Sequence, residues 1–171
     1  MEKKRMNDKG FSLVELIIVI AIMAILIGLL APQYLKFVER SKKSADRDTV
    51  DQIIRTVQLD YADPESTTNV EGAKITLTPT GGATVTEGTG TNLAAVLTNF
   101  GLNTADMKLK SSKWHEGTST GANVTAIVIT FSYSGESVTA TVTANTGSQA
   151  PVDDSGTSIT GKTSAAPTTT P

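Results

Sequence analysis

The sequence predicts an α+β protein, with one long N-terminal α-helix packed against an antiparallel β-sheet head domain. Three observations predict it. An almost unbroken apolar run from Phe11 to Ala31 continues into an amphipathic stripe that lasts to about Tyr61. Beyond residue 70 the apolar spacing changes from three and four to two. The strongest two-residue alternations, Val124 to Tyr133 and Ser137 to Ala144, flank Ser134-Gly135, a turn signal.

The first element is the apolar run. Residues 1–10 are polar and net positive, and about 20 residues follow, enough to cross roughly 30 Å of hydrocarbon. Upstream positive charge favours a cytoplasmic N-terminus. One carboxylate, Glu15, sits inside the run, where insertion into lipid costs about 2.5–3.5 kcal/mol. The acid needs a partner, and the run itself holds none. An α-amino group made by cutting between Gly10 and Phe11 would supply one. An ordinary secretory signal has a shorter apolar region and a small-x-small cleavage site, whereas here Leu29 is bulky and Pro32 would follow the cut. A plain single-pass anchor leaves Glu15 unexplained.

From Gln33 onward Tyr34, Val38, Ala45, Val50, Ile53, Ile54, Val57 and Tyr61 repeat at helical spacing. Asp63-Pro64 ends the helix, because a residue before proline is disfavoured in the α region. One helix from Phe11 to Ala62 would be about 75–80 Å long, too long for a compact core. Gly28 and Pro32 interrupt it, either as a fixed kink or as a segment, Ala24 to Pro32, that unwinds when copies pack together. The cluster Arg40, Lys42, Lys43 and Arg47 reads as a solvated face, or as a contact with acidic residues of a neighbouring helix or with lipid headgroups.

Ala73 to Thr78 and Ala83 to Thr86 alternate at strand period around Gly81-Gly82, a two-residue hairpin signal. Asn92 to Phe100 reads as a short helix, with Leu93, Val96, Leu97 and Phe100 on one face, Asn92 as its cap and Gly101 as its end. Lys113 to His115 reads as a short strand. Residues 149–171 are rich in Ser, Thr, Gly, Ala and Pro and read as a flexible tail, with Thr168 to Thr170 open to O-linked glycan.

Composition excludes several kinds of chemistry. The 171 residues include no cysteine and one histidine, His115, so a disulfide framework and a His/Cys metal cluster are both excluded. No catalytic site and no cofactor are expected. Gly88-Thr89-Gly90 lacks the lysine and the strand–helix setting of a phosphate loop. Asp153 to Thr157 offers oxygen ligands that suit calcium, although not at EF-hand spacing. The net charge is −2, and without residues 1–10 the chain keeps 11 basic and 15 acidic residues, a net −4. No nucleic-acid partner is expected from that balance.

Lys9-Gly10-Phe11-Ser12-Leu13-Val14-Glu15-Leu16-Ile17 closely resembles the class III signal of type IV prepilins. The resemblance covers about the first quarter of the chain. It implies that a membrane aspartyl peptidase cuts between Gly10 and Phe11 and that the new Phe11 amine is methylated. It implies that Glu15, the fifth residue after the cut, meets the Phe11 amine of its own or a neighbouring subunit. It also implies that Pro32 falls at the family's helix-kinking proline. The organisation that follows is a leader over 1–10, an apolar assembly helix over 11–32, an amphipathic helix over 33–63, a sheet domain over 64–148 and the tail over 149–171. The expected function is that of a structural subunit of a type IV pilus, the major pilin. It begins as a membrane precursor and ends in a homo-oligomeric surface filament raised by an assembly platform and its cytoplasmic ATPase. A type II secretion or competence pseudopilin shares the same first 60 residues, and a membrane-anchored adhesive domain that never polymerises is a third reading. The missing cysteine pair departs from many Gram-negative pilins and fits a Gram-positive pilin or a pseudopilin equally.

Overall fold

A computed structural model describes residues 11–88, 91–133, 137–145, 149–160 and 163–165. The expected leader, the turn at Ser134-Gly135, Thr89-Gly90 and Thr168 to Pro171 lie outside the described residues. Helix α1 spans Leu13–Tyr61. The chain divides between Val38 and Glu39 into two compact units.

In the first unit every residue of α1 up to Phe37 is exposed, including Ile17, Ile20, Leu26 and Leu30. Among the described residues, none covers this apolar surface. The helix is continuous through Gly28 and Pro32, where the sequence suggests an interruption. The two positions are four residues apart. Pro32 therefore has no N–H to give the Gly28 carbonyl, and its ring crowds that same carbonyl. One lost bond does not break a helix whose neighbouring bonds are intact.

The second unit is built around a five-stranded antiparallel sheet. Its strands are β1 (Lys74–Leu77), β2 (Thr84–Thr86), β4 (Ile127–Tyr133), β5 (Ser137–Ala144) and β7 (Thr163–Ala165), in the order β2-β1-β4-β5-β7. Register aligns Val85, Ile75, Ile129 and Val142 in one row, and Leu77, Ile127 and Ala144 in the next. Phe131 lies opposite Ala140, so a large side chain meets a small one. This face packs with Val50, Ile53, Ile54 and Val57 of α1 in one buried cluster. Complete burial of such a side chain stabilises by about 1.5–3 kcal/mol. The other face carries Thr76, Thr130, Thr139, Thr141 and Thr143, the alternation of an antiparallel sheet with one wet side. The α+β class expected from the sequence therefore holds.

Local chemistry shifts several elements. The connection between β1 and β2 is longer than two residues, because Thr76 already pairs with Thr84. Its course is set by outside contacts: Ala83 N–H donates to the Thr104 carbonyl at 2.6 Å, and a Cβ on Gly82 would lie 2.7 Å from the Ala105 backbone. Helix α2 (Leu93–Asn99) is not capped by the Asn92 side chain. Instead the Glu87 carboxylate accepts the N–H groups of Leu93 at 3.0 Å and Ala94 at 2.7 Å. Burial opposes the charge on Glu87, but the bonds from Thr91, Ala94 and Leu93 outweigh it and hold its carboxyl below the usual range. Gly101 closes α2 at φ 74°, with Leu102 N–H donating to the Leu97 carbonyl at 2.8 Å. Phe100, expected on the buried face, is exposed because the chain leaves the helix there.

The largest departure is the C-terminal segment. Strand β6 (Pro151–Val152) pairs with β3 (His115–Glu116), and Val152 and Ile159 are buried. Residues 149–160 are therefore part of the head and not of a tail. Its Ser, Thr and Gly content serves a tight turn: Asp153 N–H donates to the Thr157 carbonyl at 3.0 Å, and Gly156 takes φ 83°.

Candidate functional site

Two sets of residues answer to the expectations above, and each lies within one unit. The first is at the start of α1. Ser12 precedes the helix, and its Oγ accepts the Val14 N–H at 3.4 Å. Glu15 reaches back, and its Oε2 accepts the Ser12 N–H at 2.9 Å. Ser12-Leu13-Val14-Glu15 is thus a reciprocal cap, the S-x-x-E arrangement that satisfies donors at a helix start. The expectation that Glu15 has no partner within the run is corrected here. The run holds no cation, but it holds an unpaired backbone donor, and the positive end of the helix dipole favours a carboxylate in the first turn. The bond uses the peptide N–H of Ser12, so a cut before Phe11 leaves it intact. Phe11 is 94% exposed. Gly10 lies outside the described residues. A Cβ on Gly28 would meet nothing within 4 Å, so packing inside the chain does not require glycine there.

The second set joins α1 to the head. Asp46 is fully buried, and its Oδ1 accepts the Lys110 N–H at 2.6 Å. Its Oδ2 accepts the Ser111 N–H at 3.0 Å and the Trp114 indole N–H at 2.9 Å. Three donors replace the water that the carboxylate loses on burial. Glu39, two turns earlier, accepts the Ser111 hydroxyl. Lys43 and Arg47 stack on the Trp114 ring, at 5.6 and 5.3 Å from its centre. Lys43 pairs with Asp154 at 3.1 Å and Arg47 with Asp153 at 2.6 Å.

The basic cluster on α1 is therefore divided. Arg40 and Lys42 are exposed, as a solvated face requires, whereas Lys43 and Arg47 turn inward to acids of the C-terminal segment. The same pairing engages the carboxylates of the Asp153 to Thr157 turn. Asp153 Oδ2 is occupied by Arg47, and its Oδ1 accepts Ser155 and Thr157 N–H groups at 2.8 and 2.9 Å. Burial alone would raise the Asp153 pKa, but bonds from Ser155, Arg47 and Thr157 hold it far below the usual range. The Lys43 ammonium, with His115 adding to it, holds the Asp154 carboxyl low as well. His115 is half-buried, with Nδ1 3.2 Å from the Gly121 carbonyl and Nε2 3.3 Å from Asp154. Among the described residues no group of three His, Asp or Glu is placed to hold a metal ion.

Residues 5–31 match the family model described as the prokaryotic N-terminal methylation motif. The chain is also similar to a protein of Clostridium perfringens (strain 13 / Type A) named prepilin peptidase-dependent protein A, with 35% identity over 75 residues. That stretch is 44% of this chain and 54% of the relative, so the chain spans about half the length of the curated relative it matches. No solved structure matches the chain.

Proposed function

We propose that the chain is a structural subunit of a type IV pilus, the major pilin, which polymerises through its N-terminal helix into a surface filament. A methylation motif borne by a helix whose first 25 residues are exposed and almost wholly apolar carries this reading. Such a surface needs either lipid or copies of itself. The relative's name supports a prepilin peptidase as the partner that cuts between Gly10 and Phe11, with methylation of Phe11 following.

Glu15 then has two partners in succession. In the precursor and the membrane-held subunit it caps its own helix through Ser12. In the filament it meets the Phe11 amine, a full charge in a low-dielectric setting, and that exchange favours the assembled state. The head covers the outside, and Gly28 and Pro32 mark the stretch where the helix loosens on packing.

Intact and N-terminal peptide mass spectrometry on material sheared from cells tests the reading. The expected chain begins at methylated Phe11 and is found in filaments. A chain that retains Met1 and stays in the membrane fraction overturns it in favour of a plain anchor.

A further inference from the structure

The charge of the head is unevenly placed. Residues 39–171 carry 10 basic and 14 acidic side chains, a net −4. Five of the ten cations, Arg40, Lys42, Lys108, Lys110 and Lys113, are exposed and have no ion-pair partner among the described residues.

Three of them sit on the segment between α2 and β3. From Met107 to Ser112 burial alternates: Met107, Leu109 and Ser111 are buried, while Lys108, Lys110 and Ser112 are exposed. A period of two turns both lysines to one side, and Lys113 follows them into solvent. The segment is fixed to α1. Asp46 accepts the Lys110 and Ser111 N–H groups, and Glu39 accepts the Ser111 hydroxyl. Ser111 Oγ in turn accepts the Lys113 N–H at 3.1 Å. These bonds use backbone groups and Ser111, so all three ammonium groups stay in water. By helical rotation Arg40 and Lys42 fall on opposite flanks of the line from Glu39 to Asp46. Of the acids close in sequence, Asp106 is bonded to the Asn103 side chain at 3.0 Å, and Asp48 lies on the far side of α1.

Chain connectivity selects the partner. Glu39 follows Phe37, the last residue of the wholly exposed stretch of α1, by two positions, so the backbone keeps them within about 7 Å. As a helix Phe11 to Phe37 is about 40 Å long, which matches hydrocarbon plus headgroups. With that stretch in lipid, the first turns past it lie at the level of the phosphates. We infer that the five cations hold the head on anionic phospholipid headgroups while the subunit is in the membrane. The inference rests on the membrane-held stage of the reading above. Basic residues beside a membrane segment gain from an anionic surface within a Debye length. A lipid surface meets only the basic side of the head, whereas the net −4 of the whole opposes a nucleic acid. A subunit that leaves the membrane for a filament gives up these contacts, so anionic lipid retains it.

The chain has no cysteine, so Ser112→Cys provides a single labelling site beside the lysines. A fluorophore there, on the full chain reconstituted into vesicles, is read by its quenching from lipid with a nitroxide headgroup. Quenching is expected to rise about threefold from phosphatidylcholine alone to equal parts phosphatidylcholine and phosphatidylglycerol, and to fall back at high salt. Lys108→Gln, Lys110→Gln and Lys113→Gln together should remove the rise without moving the unfolding midpoint, because the backbone bonds to Asp46 remain. Quenching that ignores lipid charge in an inserted chain overturns the inference and leaves the filament reading intact. Loss of the rise on adding a short duplex DNA overturns it in favour of a nucleic acid. A chain that floats with neither kind of vesicle overturns the membrane-held stage itself, and the inference with it.

Discussion

Trp114 donates its indole N–H to Asp46 at 2.9 Å, and both residues are completely buried. This bond fixes a carboxylate of α1 to the strand-side of the head across 68 positions of sequence. Lys43 and Arg47 lie on the same indole ring, so one aromatic side chain organises one anion and two cations.

Asp46→Ala should be among the most damaging changes in the head. It strands the Lys110 and Ser111 N–H groups and the indole donor, each worth about 1–3 kcal/mol when buried and unpaired. Trp114→Phe removes one donor and shrinks the ring but leaves both backbone donors paired, so it should cost less, by about a factor of two. Urea unfolding of the detergent-solubilised full chain, followed by circular dichroism, ranks the two. Equal midpoints for the two variants would contradict this ranking, and a Trp114→Phe midpoint equal to the parent's would show that the indole bond carries nothing.

Acid should loosen the C-terminal segment. Asp153, Asp154 and Glu87 are all held below the usual carboxylate range, so the unfolded chain takes up their protons first. Their contribution is complete above roughly pH 4–4.5, the unfolded range, and is lost as pH falls further. Arg47→Met removes one cause of the Asp153 depression and should flatten the loss of stability between about pH 4 and 2. Thermal unfolding midpoints of parent and variant across that window provide the check. Parallel curves would exclude the pair as a source of acid sensitivity.

Glu15→Leu should leave a processed, membrane-held protein that assembles poorly. Ser12→Ala should be much milder, costing about 0.5–2 kcal/mol at the helix start and leaving the carboxylate for the Phe11 amine. Filament yield against membrane pool, measured on the same cells, separates the two. Normal yield from Glu15→Leu would contradict the proposed docking role.

The helix between Ala24 and Pro32 should be less regular in the filament than in the single chain. The single chain forms it throughout, although Pro32 denies a bond to the Gly28 carbonyl. A filament map showing continuous backbone bonds over those residues would refute the loosening.

Much of the fold was legible because it follows periodicity. The alternation in Ile127 to Tyr133 and Ser137 to Ala144 located β4 and β5, and the stripe through Val50, Ile53, Ile54 and Val57 located the packed half of α1. The Asp46 site was not legible, because its donors come from a loop more than 60 residues away and loops carry no period. Lys43 and Arg47 looked solvated for the same reason: their acids lie at 153 and 154, in a stretch whose composition resembles a tail. Val152 and Ile159 were too sparse to signal a core. The Ser12–Glu15 cap, by contrast, is written in four adjacent residues, Ser12-Leu13-Val14-Glu15.

The pairing of Arg47 with Asp153 joins positions 106 residues apart. A ribosome making this chain finishes α1, all of β1 to β5 and Trp114 before the acids at 153 and 154 exist. Until then Lys43 and Arg47 have no counter-charge, and β3 has no strand to pair with. A chain cut short before Val152 would therefore keep most of its sheet yet fail to close, because β3, Lys43 and Arg47 would all lack the groups they pair with.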